Sequence, residues 1–330
     1  MKFLFLFLDG VGLGSNNPQM NPFVRARMPT LETLLRGNRL VIETLLHQSG
    51  SEFNGNQQEI GEKRKTETIF QPFINQYATL LALDSCLGVN GLPQSATGQA
   101  AMITGINIPA ALGYHYGPKP NQAVAQFLQT GTLFHQLRER NKTISLLNAY
   151  PPSYFQAIER GYRIYSAIPL AMIKSGIVLK TIDDLLNGKG LSADFTGLGW
   201  RERLGIVDTP LLTPEQAGEK IAILAQESDL TFFDFWLSDY AGHKQNMKIA
   251  CNLLETFDRV LSSILTNWNL DDGVILITSD HGNLEDLSTR RHTTNPVPAL
   301  VIGASHHRHV FTNNLLDLTN IKPAILNLFP

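Results

Sequence analysis

Three apolar runs in this chain stop abruptly at acidic or imidazole side chains: FLFLFLDG from Phe3, LTFFDFWLSDYAGH from Leu230 and GVILITSDHGN from Gly273. A short continuous apolar run ended by turn residues reads as a strand buried on both faces. Helical segments separate these runs. PEQAGEKIAILAQES begins with Thr213 as cap and Pro214 in the first position, and IACNLLETFDRVLSSILTNW is a long amphipathic helix. Strands alternating with helices predict an α/β fold, with a largely parallel central sheet flanked by helices. In such sheets ligand sites lie beyond the carboxyl ends of the strands. Asp9, Asp239, His243, Asp280 and His281 therefore fall along one edge, and His292 follows in RRHTTNPVP.

The remaining segments fit the same plan. MPTLETLLRG predicts a short helix ending at Gly37, TLLALDSCLGV and PALVIG two further strands, and IKPAILNLF a closing helix. Ser49 to Lys65 is polar and is expected to form a surface excursion. From about Asn107 to Arg203 the character changes to proline- and glycine-rich loops carrying arginines. That change predicts a core of residues 1–107 and 205–330, which carries the strand-end Asp and His side chains, with an inserted cap at 108–204.

With 43% hydrophobic residues and a net charge of −2 over 330 residues, nothing draws the chain to nucleic acid or an anionic membrane. No run of apolar residues is long enough to span a bilayer. The six apolar residues Phe3–Leu8 are too few for a secretory leader. A cytoplasmic location is the expectation, with Cys86 and Cys251 reduced.

Carboxylates and imidazoles together suit divalent ions such as Mn²⁺ or Zn²⁺. Six such side chains exceed the needs of one ion with an open position, and two ions form a clamp for in-line displacement at phosphorus. A nucleophile is available in SATGQAAMITG. Ser95 stands at a helix start, where backbone N–H groups favour an anion, and Thr97 is the rival hydroxyl.

SDHGN, RRHTTNPVP, SDYAGH, FLDGVG and GLPQSATGQ together resemble the metal core of the alkaline phosphatase superfamily. Within it they are most similar to the cofactor-independent phosphoglycerate mutases. The resemblance implies one metal held by Asp239, His243 and His292, and a second held by Asp9, Ser95, Asp280 and His281. It favours Ser95 as nucleophile, with Gly98 three residues on. The implied activity is two-metal phosphoryl transfer on a small phosphorylated substrate through a phosphoserine, most simply phosphomonoester hydrolysis. A phosphomutase, a phosphodiesterase and a non-catalytic metal-binding module are the alternatives.

The middle third of the chain takes no part in the resemblance. It lacks the histidine-containing glycine motif and the arginine pairs of the mutase's second domain. Arg138, Arg140, Arg160 and Arg163 are candidate anion binders there, with Arg201, Arg203 and His115 the preferred substrate contacts. His306, His307 and His309 lack carboxylate neighbours and read as a surface turn, and His47 and His135 read as structural.

Overall fold

Phe3, Phe5 and Phe7 face one way along the first strand, Leu4, Leu6 and Leu8 the other, and both sets are buried. Period-two alternation on a strand covered on both sides turns a uniform apolar run into two half-cores. In the computed structural model, which describes residues 1–46 and 70–330, this run is β1 (Lys2–Leu8). The polar excursion expected at 49–65 and His47 lie outside the described residues.

The other strands are β2 (Phe73–Ile74), β3 (Ala78–Leu83), β4 (Ile144–Leu146), β5 (Leu230–Phe235), β6 (Gly273–Thr278) and β7 (Val297–Ile302). They form one sheet in the order β2-β3-β7-β6-β1-β5-β4. β1 pairs in parallel with β5 and β6, and β4 in parallel with β5. The β6–β7, β7–β3 and β3–β2 ladders are antiparallel, so only β7 and β2 run against the others. The expected α/β architecture is present. Register decides where the site falls: Leu8 lies beside Phe235 and Phe7 beside Thr278. Three strands thus end level, and the residues that follow them leave the sheet at one edge.

The Ser95–Thr104 helix shares a core with Phe3, Phe5 and Phe7. The Pro214–Ala225 and Met247–Asn267 helices cover the Leu4, Leu6 and Leu8 side. The first of these carries the predicted cap: Thr213 Oγ1 accepts from the Gln216 N–H, and Gln216 accepts from the Thr213 N–H. No helix among the described residues is long and apolar enough to cross a membrane.

Three sequence expectations need correction. The region 108–204 supplies β4 to the central sheet, and Phe134, Leu137 and Met172 to the same core as β1. The boundary after residue 107 therefore cuts through one packed unit. A smaller cluster of Ala149, Leu185 and Trp200 gathers part of the later half of that region. SHHRHV is a helix, Ser305–Thr312, organised by buried Arg308, which donates to the Gly303 and Asn75 carbonyls. Arg138 and Arg140 are structural as well, donating to the Ser175 carbonyl and to the Leu326 and Phe329 carbonyls respectively.

Candidate metal centre

Ser95 opens its helix as the first helical residue, after extended Gln94, and is 5% exposed. It does not cap its own helix. Its Oγ lies 3.0 Å from His281 Nε2. The backbone N–H groups of Ser95 and Ala96 find no acceptor among the described residues. Thr97 is committed elsewhere: its hydroxyl faces the Gln94 and Tyr116 carbonyls at 3.2 Å and accepts from the Tyr116 N–H at 3.1 Å. One turn on from Ser95, Gln99 donates to Asp9 Oδ2 at 3.4 Å and to Asp280 Oδ2 at 3.2 Å. A Cβ on Gly98 would come within 2.8 Å of the Asp280 carbonyl oxygen, so only glycine lets the helix lie this close.

Asp9 follows β1 directly, Asp280 and His281 follow β6 after Ser279, and all three are buried. His281 Nε2 lies 3.3 Å from Asp9 Oδ1 and 3.7 Å from Asp280 Oδ2. Asp239 and His243 sit four residues apart on the Leu237–Lys244 helix that follows β5, and therefore share its face. Asp239 Oδ2 faces His243 Nε2 at 3.2 Å, while its Oδ1 faces His292 Nε2 at 3.7 Å. The Nδ1 atoms of His243 and His292 are turned away, to the Arg290 carbonyl at 2.8 Å and the Pro93 carbonyl at 2.7 Å. That second bond fixes the ring and leaves Nε2 to point inward.

The electrostatics reflect crowding. Burial and the Asp280 charge hold the Asp9 carboxyl well above the usual carboxylate range, and burial raises Asp280 too. Burial alone would lower His281, but Asp280 and Asp9 push it up to about 10. Burial and the His281 charge push His292 down to about 4. Burial opposes ionisation of Asp239, yet the His243 hydrogen bond and the His281 charge hold its carboxyl well below its ordinary value. Beneath the site, burial and Asp280 push Asp234 on β5 up to about 7, and its Oδ1 has no hydrogen-bond partner.

The sequence motifs hide one organising residue. Glu285 is 1% exposed, and its Oε2 accepts from the Gly12 N–H at 2.9 Å and the Asn283 N–H at 2.8 Å. Its Oε1 accepts from Asn295 Nδ2 at 3.0 Å and from the Thr293 hydroxyl. One carboxylate ties the loop after β1, the loop after β6 and the HTTNPVP segment together. Side chains at Gly12, Gly14 and Gly282 would collide with it, which explains most of the glycines in the opening DGVGLG.

The preferred substrate contacts make other bonds. His115 Nε2 bonds the Val89 carbonyl at 3.2 Å, and Arg201 Nε donates to the Thr209 carbonyl at 2.7 Å. Arg203 lines a cavity that the Leu237–Lys244 helix also borders. None of the three bonds Asp9, Ser95, Asp239 or the site histidines. His135 Nδ1 bonds the Thr132 and Ser175 hydroxyls at 2.9 Å, as a structural residue would.

Residues 205–330 match the family model described as Metalloenzyme superfamily. The 2,3-bisphosphoglycerate-independent phosphoglycerate mutase of Thermococcus gammatolerans is 37% identical over 28% of this chain and 22% of its own. That of Thermococcus kodakarensis is 29% identical over 46% of this chain and 36% of its own. The chain thus spans about a fifth to a third of these relatives. The alkaline phosphatase of the Antarctic bacterium TAB5 shares the fold, with a TM-score of 0.51 at 12% identity, covering 99% of this chain and 97% of that one. A Pyrococcus horikoshii protein does so with a TM-score of 0.54 at 14% identity, covering 99% and 96%. The chain has the alkaline phosphatase-like fold.

The matched family model is one of metalloenzymes, and the side chains gathered here suit divalent ions. Asp239, His243 and His292 form one group with ligand atoms within 4.8 Å of one another, and Asp9, Asp239 and His281 form a second. Asp9 Oδ1 is buried with only the His281 ring, 3.3 Å away, beside it, and a cation would compensate it. Asp239 belongs to both groups, whereas the resemblance assigned it to one.

Proposed function

We propose that the chain is a phosphoryl-transfer enzyme that acts on a small phosphate ester through Ser95, most simply a phosphomonoester hydrolase. The observation that carries this reading is Ser95 Oγ at 3.0 Å from His281, inside the Asp/His constellation, while Thr97 is fully bonded. Asp239, His243 and His292 would hold one ion, and Asp9, Asp280 and His281 a second beside Ser95. Mn²⁺ or Zn²⁺ suits the mixed donors. Bound there, the ions would favour the ionised hydroxyl and neutralise phosphoryl charge. Ser95 Oγ forms the new bond to phosphorus as the ester oxygen leaves and takes up a proton. The free N–H groups of Ser95 and Ala96 would receive the phosphoryl oxygens. Water then cleaves the phosphoserine to serine and inorganic phosphate.

A phosphomutase is the second reading, favoured by the names of the relatives above. It differs in the acceptor, which is a hydroxyl of the retained product rather than water. The two separate in one assay with added Mn²⁺ or Zn²⁺. p-Nitrophenyl phosphate is expected to release phosphate, and phosphoglycerate is followed for release against isomerisation. Ser95→Ala should lose at least a thousandfold in turnover with an unchanged melting temperature, while Thr97→Ser keeps most activity. Full activity in Ser95→Ala would end the phosphoserine reading.

A further inference from the structure

A cavity of about 880 Å³ opens beside the metal centre. It is built from the residues that leave β4 and β5, so it shares the sheet edge that carries Asp9 and Asp280. The Leu237–Lys244 helix borders both: Asp239 and His243 serve the metal centre, while Tyr240 and Lys244, one position further on, line the cavity.

The walls are aromatic. Tyr150, Tyr154, Trp200, Trp236 and Tyr240 all line the space, with Trp236 46% and Tyr240 45% exposed. Cations sit over two of these rings, Arg163 4.7 Å above Tyr154 and Lys244 5.0 Å above Tyr240. Arg203 is the third lining cation. None of the three pairs with a carboxylate among the described residues. Of the two lining carboxylates, Asp194 is consumed by its own turn, accepting from the Gly197 and Gly199 N–H groups at 3.0 and 2.6 Å. Glu202 is exposed and offsets one cation. A net cationic rim over flat aromatic walls recognises negative charge and a planar apolar surface together.

We propose that this cavity is a binding site, separate from the metal centre, for an organic anion with a flat aromatic or heterocyclic body. The assignment does not depend on phosphoryl transfer.

The test is a calorimetric titration of the purified full chain with naphthalene-2-sulfonate, which has no cleavable ester. The expected result is one saturable site per chain, with 2-naphthol and inorganic sulfate each binding at least tenfold more weakly. Excess inorganic phosphate should not displace the probe, and Ser95→Ala should bind it unchanged. The double variant Arg203→Gln, Lys244→Gln and the variant Tyr240→Ala should each weaken it at least tenfold. All three positions are exposed, so folding should survive. If the double variant melts below the parent, Arg203→Gln alone serves. No saturable binding, equal binding of 2-naphthol, displacement by phosphate, or indifference to these substitutions would each overturn the proposal.

Discussion

Glu285 shows how much one side chain holds at this site. Glu285→Ala leaves the Gly12 and Asn283 N–H groups, the Thr293 hydroxyl and the Asn295 amide without their acceptor. A loss of about 2–4 kcal/mol is expected in urea unfolding, since unmet buried donors cost more than a formed bond returns. Glu285→Gln should fold better, yet bind Mn²⁺ more weakly than the parent in a metal titration. Asp234 gives the opposite kind of test. Its folded-state pKa of about 7 exceeds the ordinary 3.8, so its contribution to stability is present at low pH and fades as pH rises through that window. Asp234→Asn should flatten the dependence of metal-free stability between pH 4 and pH 8 (roughly the span of that shift), as read from melts across that range. Asp9, Asp280 and His281 were legible in sequence because each ends an apolar run. Glu285 and Gln99 were not: neither ends a strand, and their roles arise from loops far apart in the chain. Spacing gave only a faint signal for Gln99, four residues after Ser95.

At the scale of elements, close approach decides position. Gly98 lets the Ser95 helix rest on the Asp280 backbone, and Gly218 lets the Pro214–Ala225 helix rest on the Met247–Asn267 helix. A Cβ there would collide with the Val260 carbonyl oxygen. Gly218→Ala should destabilise by about 1–3 kcal/mol through overpacking, with turnover of the folded fraction unchanged. Gly98→Ala should lower turnover more than tenfold, because the displaced element carries Ser95, the proposed nucleophile. Melting curves and rates on the same samples separate the two effects. Helix starts with local signals, such as Thr213-Pro214, were readable. SDYAGH ends an apolar run and so looks like a strand end, although its four-residue spacing fits the helix that turns both side chains inward. SHHRHV misled because its anchor is buried Arg308, and nothing local in the sequence says that an arginine is inside.

The whole molecule gathers carboxyl and imidazole side chains where three strands end level. Removing divalent ions with a chelator should lower the melting temperature and abolish turnover, and restoring them should reverse both, because ligand binding to the folded state alone stabilises it. An unchanged melting temperature would argue against resident ions. The α/β architecture was legible because it rests on run length and alternation. That 108–204 supplies a strand to the sheet was not legible, because composition reports surface chemistry, while membership of a sheet is set by pairing that no local window contains.

β4 comes from the segment that looked detachable. The 108–204 region therefore cannot be exchanged as a module: cutting it out would bare the edge of β5 and invite strand pairing between molecules. The aromatic cavity lies in the loops beyond β4, so its lining can change while the β4–β5 ladder stays in place.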